Sequence, residues 1–310
     1  MHEQWSGSLA IYRLILAFLS ILSLAMTLPA HGQDFVSPVR LANMPTGEFV
    51  IADSKRQTLS IWDPQSARVV RVIDVPGRPV SVAFGWDYFY VGNEITQSVD
   101  VLDLRKGKLK KILGGKKFHI QRPSDIALDI DADLVFVTDS ATASVLVFDR
   151  RSGDLLRTLP AAGQPTLYRP TGLAVDPIRR EVLVSDFGDP MDPDASIKIY
   201  DYDGMHKASI DGSAGCGSFG CSNDYVFSRP QGLAVNAQGL IYVVDSVLGN
   251  VLVFDRDTLE GVAVIGERGR GPRQLWLPLD LAIGDGTNDL YVTNNRNRRL
   301  EVYPGKGLLP

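Results

Sequence analysis

Histidine is scarce in this chain, with four in 310 residues, and cysteine is scarcer, with two. A structural zinc centre needs four ligands drawn mostly from those two residue types. Beyond residue 32 only His119 and His206 remain to help the cysteines. Charge of one sign is also lacking. The net charge of −4 removes the whole-molecule attraction to nucleic acid that a basic protein has, so no nucleic-acid partner is expected. After Leu28 no long apolar run occurs, and no membrane insertion of the mature chain is expected. What is present is ample core material, 45% hydrophobic against 22% charged residues, which excludes disorder.

The first 32 residues stand apart. Arg13 precedes an apolar run from Leu14 to Leu28, and Ala30-His31-Gly32 places small residues around a cleavage point. That layout predicts a signal peptide over 1–32 and a mature chain 33–310, exported to a periplasmic or extracellular space. An uncleaved anchor is the alternative, since Leu9–Leu28 is just long enough to span, although Arg13 interrupts it. Export suits the cysteines. Cys216 and Cys221 bracket Gly217-Ser218-Phe219-Gly220, and an oxidising compartment favours a local disulfide between them. So short a loop gains little global stability from the link.

Three phrases recur six times. The first is a proline with a short apolar stretch: Pro38-Val-Arg-Leu-Ala, Pro79-Val-Ser-Val-Ala, Pro123-Ser-Asp-Ile-Ala, Pro170-Thr-Gly-Leu-Ala, Pro230-Gln-Gly-Leu-Ala and Pro278-Leu-Asp-Leu-Ala. The second ends in an acid or its amide: Asp53, Asn93, Asp139, Asp186, Asp245 and Asn294. The third is an aromatic or β-branched run closed by Asp63, Asp103, Asp149, Asp201 and Asp255, with Tyr303-Pro304 as the degenerate copy. Proline to Asp or Asn is always 14 to 16 residues, whereas proline to proline ranges from 41 to 60. A constant interior with variable joints means a rigid repeat carrying loop insertions.

Each phrase reads as a strand, and a fourth follows in most units, for example Val69–Val72, Leu109–Leu113, Leu155–Leu159 and Val262–Ile265. Four short strands per unit predict an all-β fold, a six-bladed β-propeller of four-stranded antiparallel blades. The fourth residue after every proline is alanine, at 42, 83, 127, 174, 234 and 282. Inner strands converge on the axis, where only small side chains fit the wedge. The Pro-x-Gly-Leu-Ala-Val, Val-x-Asp-Ser and Val-Phe-Asp phrases resemble the NHL repeat family across residues 35–303. The resemblance implies that the segment around Phe35-Val36 closes the last blade. The second-strand Asp or Asn is read as a turn cap.

Topology sorts the loops onto two faces. Loops entering each blade, and those joining second and third strands, share a face called top here; the others form the bottom. The top loops carry Arg78, Lys116, Lys117, Arg122, Arg169, Arg229, Arg268, Arg270 and Arg273, and the last blade adds Arg296, Arg298 and Arg299. The bottom loops are acidic, with Asp87, Asp129, Asp131, Asp133, Asp285 and Asp289. The resemblance makes the top face the default ligand side. Arginine there suits carboxylate, phosphate or sulfate through its planar fork. An arginine just before the repeat proline also reads as a brace between blades, at 78, 122, 169 and 229.

Two further clusters are candidates. Asp186, Asp189, Asp192 and Asp194 crowd one insertion, and four carboxylates of this spacing could hold Ca²⁺; no other cofactor is expected. Two residues after each proline stand Arg40, Ser81, Asp125, Gly172, Gly232 and Asp280. Asp125 and Asp280 face each other across the channel, with Arg40 beside Asp280, as a cation or substrate site or as a satisfied channel mouth. The sequence therefore favours a monomeric, non-enzymatic binding module for a protein or anionic ligand. The alternative is a divalent-metal lactonase or lyase, because related six-bladed enzymes hold an ion at the axis through several His, Glu or Asn side chains.

Overall fold

A computed structural model describes residues 35–114, 120–189, 194–211 and 227–307. The expected signal segment 1–32, Lys116, Lys117, Asp192, Cys216 and Cys221 lie outside the described residues. Within them there is no helix, and the strands form six antiparallel blades plus one short parallel pair, Glu267–Arg268 with Gln274–Leu275, in the loop entering the last blade. Blade 1 comprises Pro38–Asn43, Phe49–Asp53, Thr58–Asp63 and Arg68–Asp74. Blade 2 comprises Pro79–Gly85, Tyr88–Asn93, Ser98–Asp103 and Leu109–Ile112, and blade 3 Pro123–Asp129, Leu134–Asp139, Ser144–Asp149 and Leu155–Leu159. Blade 4 takes Pro170–Asp176, Glu181–Asp186, Ser196–Asp201 and His206–Ile210, and blade 5 Pro230–Val235, Leu240–Asp245, Asn250–Asp255 and Gly261–Ile265. Blade 6 has Pro278–Ile283, Leu290–Asn294 and Arg299–Tyr303.

Every inner strand begins at its repeat proline, the one strand position where a missing N–H costs no ladder bond. Immediately after the proline the register shifts in all six blades. This bulge re-aims the next side chains toward the axis. Beyond it the strands alternate regularly. The residue three after the proline packs on the preceding blade, and the alanine after it packs on the following one. Leu41 joins the cluster between blades 6 and 1, with Trp62, Tyr291 and Leu300, while Ala42 packs into the cluster between blades 1 and 2. Six such clusters fill the six joints, so the apolar core is a closed ring of wedges. The alanines sit where the wedge is thinnest, as the sequence requires.

The second-strand Asp or Asn is fully buried in every blade. It does more than cap its own turn. Asp139 accepts the amides of Ala141 and Thr142 in that turn, and also those of Gln121 and Arg122 in the incoming top loop. Asp53, Asp186 and Asp245 likewise take two incoming amides each. Asn93 and Asn294 take one, from Arg78 and Trp276, and donate their amide to the carbonyls of Pro76 and Gln274. The choice of acid or amide follows the neighbours: two donors demand a carboxylate, a donor and an acceptor demand an amide.

Blade 6 has three strands among the described residues. The expectation that Phe35-Val36 closes it as a strand is not met. Val36 and Ser37 donate their amides to Asp53 of blade 1, and Phe35 is buried as a plug in the joint between blades 6 and 1. Side chains stitch that joint instead. Asn43 donates to the Ile283 carbonyl at 2.7 Å, and Asn295 reaches the Pro38 carbonyl at 3.0 Å.

Candidate functional site

The loop geometry that buries the Asp or Asn also determines what the top face displays. The residue before the proline accepts, through its carbonyl, the amide of the residue after the Asp or Asn: Glu94 to Arg78, Ser140 to Arg122, Phe187 to Arg169 and Ser246 to Arg229. Each of these arginines also donates its own amide to that buried side chain. The brace read from the sequence is therefore made by the backbone, and the guanidinium is released to the surface.

What each guanidinium meets differs by blade. Arg78 pairs with Glu94 at 2.8 Å. Arg122 is exposed and forms no ion pair among the described residues. Arg169 and Arg229 flank one ring, 5.8 and 5.0 Å from the centroid of Phe187. Arg169 also donates to the Gly188 carbonyl at 3.2 Å. Beside them Lys198 lies over Tyr168 and bonds the Asp186 carboxylate at 2.8 Å. In blade 6, Arg270 stacks on Trp276 at 3.8 Å. Stacking on an aromatic face leaves the guanidinium's N–H edge pointing outward with its plane already fixed.

The rest of the blade-6 cluster divides. Arg268, Arg273, Arg296 and Arg298 are exposed. Arg299 is not available as a binding residue: its Nε bonds Glu301 at 2.6 Å, and its fork holds the carbonyls of Arg270 and Gly271. The reason is strand periodicity, which puts residues 299 and 301 on the same face. Glu301 in turn accepts the Arg273 amide, so this pair fixes the loop that presents Arg270.

The aspartate cluster in the blade-4 insertion is changed more. The Asp186 carboxylate is filled by the amides of Tyr168, Arg169 and Gly188 and by Lys198. It is a structural cap and not a free calcium ligand. Asp189 is half-buried and Asp194 exposed, and among the described residues no three His, Cys, Asp or Glu side chains gather to hold a metal.

At the axis the bulges bring Arg40, Ser81, Asp125 and Asp280 together, all at most 5% exposed. Arg40 does not choose its neighbour Asp280. It crosses the channel to Asp125, Nε to Oδ1 at 3.4 Å, and donates to the carbonyls of Thr171 at 2.9 Å and of Leu279. Asp280 accepts the Leu41 amide at 2.9 Å, and Asp125 accepts those of Ile126 and Leu173. Burial pushes both carboxyls up, against the pull of Arg40. Gly172 and Gly232 permit the crowding: a Cβ on Gly232 would stand 1.8 Å from the Asp280 carboxylate, and one on Gly172 2.0 Å from the Gln231 carbonyl. A divalent ion does not fit this donor set, because a guanidinium already reaches across the space between the acids.

The bottom face contrasts with the top. A groove of about 560 Å³ opens at the ends of the inner strands, lined by Asn43, Asn236, Ile283, Asp285 and Asn288 with no lysine or arginine. Part of the acidity read there is spent: Asp129 accepts the Tyr202 hydroxyl, and Asp133 pairs with Arg150 and Arg151.

Phe187, Tyr168, Lys198 and Trp276 escaped the sequence reading. For the three aromatics the signal is positional: directly after the buried Asp186 for Phe187, and two before a repeat proline, at 170 and 278, for Tyr168 and Trp276.

These features define a six-bladed β-propeller with a basic, aromatic-studded top face and a charge-paired axis. The NHL repeat model matches residues 227–257, which hold the first three strands of blade 5, so the fold is a six-bladed β-propeller carrying an NHL repeat, and the other blades share that strand order. No curated protein matches. Among solved structures, hydrazine synthase of Kuenenia stuttgartiensis is similar in fold, with TM-score 0.63 and 15% identity over 87% of this chain and 96% of that one.

Proposed function

We propose that this propeller is a non-enzymatic binding module that captures a carboxylate-bearing protein segment on its top face, outside the cytoplasm. The observation carrying this reading is the set of arginines over aromatic rings, Arg270 stacked on Trp276 and Arg169 and Arg229 over Phe187, with no acidic partner among the described residues. A stacked guanidinium gives up little further freedom when its edge takes a carboxylate, so binding costs less than for a mobile lysine. The rigid ring of wedges holds these groups at fixed spacing. Export rests on the N-terminal pattern alone. The lactonase or lyase alternative needs axial side chains free for a metal, and the axial acids are engaged by Arg40 and by backbone amides.

The test uses the full protein and a synthetic deca-glutamate peptide as probe, measured by fluorescence anisotropy at low salt. Substituting Arg169, Arg229 and Arg270 together by Ala is expected to weaken capture at least about tenfold, equivalent to ~1.4 kcal/mol. Equal affinity in wild type and variant would overturn the reading.

A further inference from the structure

The place that a metal would hold at the axis is taken by a side chain. We propose that Arg40 is this propeller's own axial cation, a keystone that fastens blades 1, 3, 4 and 6, closes the channel and makes the axis exclusive of divalent metal ions.

The geometry supports this from several sides. Arg40 starts from blade 1 and is 5% exposed, so it is a core group and not a surface charge. Its contacts go to Asp125 of blade 3, the Thr171 carbonyl of blade 4 and the Leu279 carbonyl of blade 6. One planar fork thus touches widely separated blades, a reach that no lysine or single water could match. Blades 4 and 5 carry glycine where the others carry a side chain, and a Cβ there would meet the Gln231 carbonyl and the Asp280 carboxylate, so the glycines let Asp280 and the blade-5 backbone close in around the axis. The contacts also explain how the ring holds at blade 6, which has three strands among the described residues. Arg40 ties blade 1 directly to that blade, and the next residue, Leu41, donates its amide to Asp280.

Charge counting makes metal and arginine mutually exclusive. Arg40, Asp125 and Asp280 form a neutral set when one carboxyl keeps its proton. Adding a divalent ion would leave excess positive charge in a site closed to water, which is strongly unfavourable. Removing Arg40 reverses the situation: two buried carboxyls then face an empty space with no counter-ion, the condition under which a cation is drawn in.

The experiment compares wild type, Arg40→Ala and the triple variant Arg40→Ala/Asp125→Asn/Asp280→Asn by thermal unfolding and by calorimetric titration with CaCl2 and MnCl2. Wild type is expected to bind no divalent ion at the axis. Arg40→Ala should lose on the order of 10 °C in Tm, the scale of breaking a buried ion pair in a domain of this size. Millimolar guanidinium or either metal should restore part of that loss in Arg40→Ala, and neither should do so in the triple variant. One metal equivalent bound by wild type and lost on Asp125→Asn/Asp280→Asn would overturn the proposal. So would an Arg40→Ala protein as stable as wild type. If Arg40→Ala does not fold, Arg40→Lys serves: it keeps the charge but loses the fork, and an unchanged Tm in that variant overturns the keystone.

Discussion

The axis and the top rim both present arginine, yet the same side chain does opposite work in the two places. At the axis Arg40 is buried and reaches an acid and two carbonyls on other blades. On the rim Arg169, Arg229 and Arg270 are exposed and lie over rings, and Arg169 also donates to the Gly188 carbonyl. The difference arises from where the blade places its backbone. The bulge after each proline turns the side chain two positions on toward the axis, whereas the residue before the proline has its amide and carbonyl consumed and only its side chain left outside. A buried guanidinium without partners is prohibitively costly, so the axis compels pairing; a rim guanidinium is solvated either way and stays free for a ligand.

That contrast can be broken or sharpened by substitution. The largest effect is expected from crowding the axis. Gly232→Ala puts a methyl onto the Asp280 carboxylate, and about 1–3 kcal/mol of stability should be lost, read as a lower urea midpoint with an unchanged slope. A neutral outcome would mean that the axial packing is looser than described.

A middle effect is expected from pH. Burial pushes Asp280 up to about 8, with Arg40 opposing and Asp125 adding to the rise. Because its folded value lies above the unfolded value of about 3.9, the folded state binds the extra proton between those limits. Its contribution to stability is complete below about pH 4 and is lost as pH climbs through about 8. Arg40 and Asp125 are the charged groups packed against it, and Asp125 is raised as well, so it acts in the same direction. Asp280→Asn, which keeps an acceptor for the Leu41 amide, should therefore flatten the fall of Tm from pH 5 to pH 8. An equal slope in both proteins would remove Asp280 from the account.

The smallest effect belongs to the rim. Arg169→Ala/Arg229→Ala should change stability by about 0.5 kcal/mol or less, since exposed charges contribute little to folding. A loss of several degrees in Tm would make these arginines braces after all.

Much of this was legible in the sequence, for reasons that can be named. The six blades followed from the fixed distance between each proline and its Asp or Asn, because both ends of that segment are pinned by one buried side chain. The alanines followed from wedge geometry. The spacing gives Arg40, Ser81, Asp125 and Asp280 equivalent places in their blades, but a long side chain can reach over its neighbour, and spacing does not encode which acid Arg40 meets. Arg299 looks like one more free rim arginine in the sequence, because only the strand assignment shows that Glu301 shares its face and takes its Nε. Phe187 was missed because its significance appears only when the residue after the Asp is known to lie beside the residue before the proline. Asp186 failed as a metal ligand for the same reason, since the amides that fill it come from another part of the chain.

Arginine-selective labelling measures the contrast most directly. Native protein treated with phenylglyoxal at pH 8 and read by peptide mass spectrometry should show Arg169, Arg229 and Arg270 modified within minutes, with Arg40 protected until the protein unfolds. Labelling of Arg40 at the rim rate, or protection of all the rim arginines, would contradict the division between a sealed centre and an open edge.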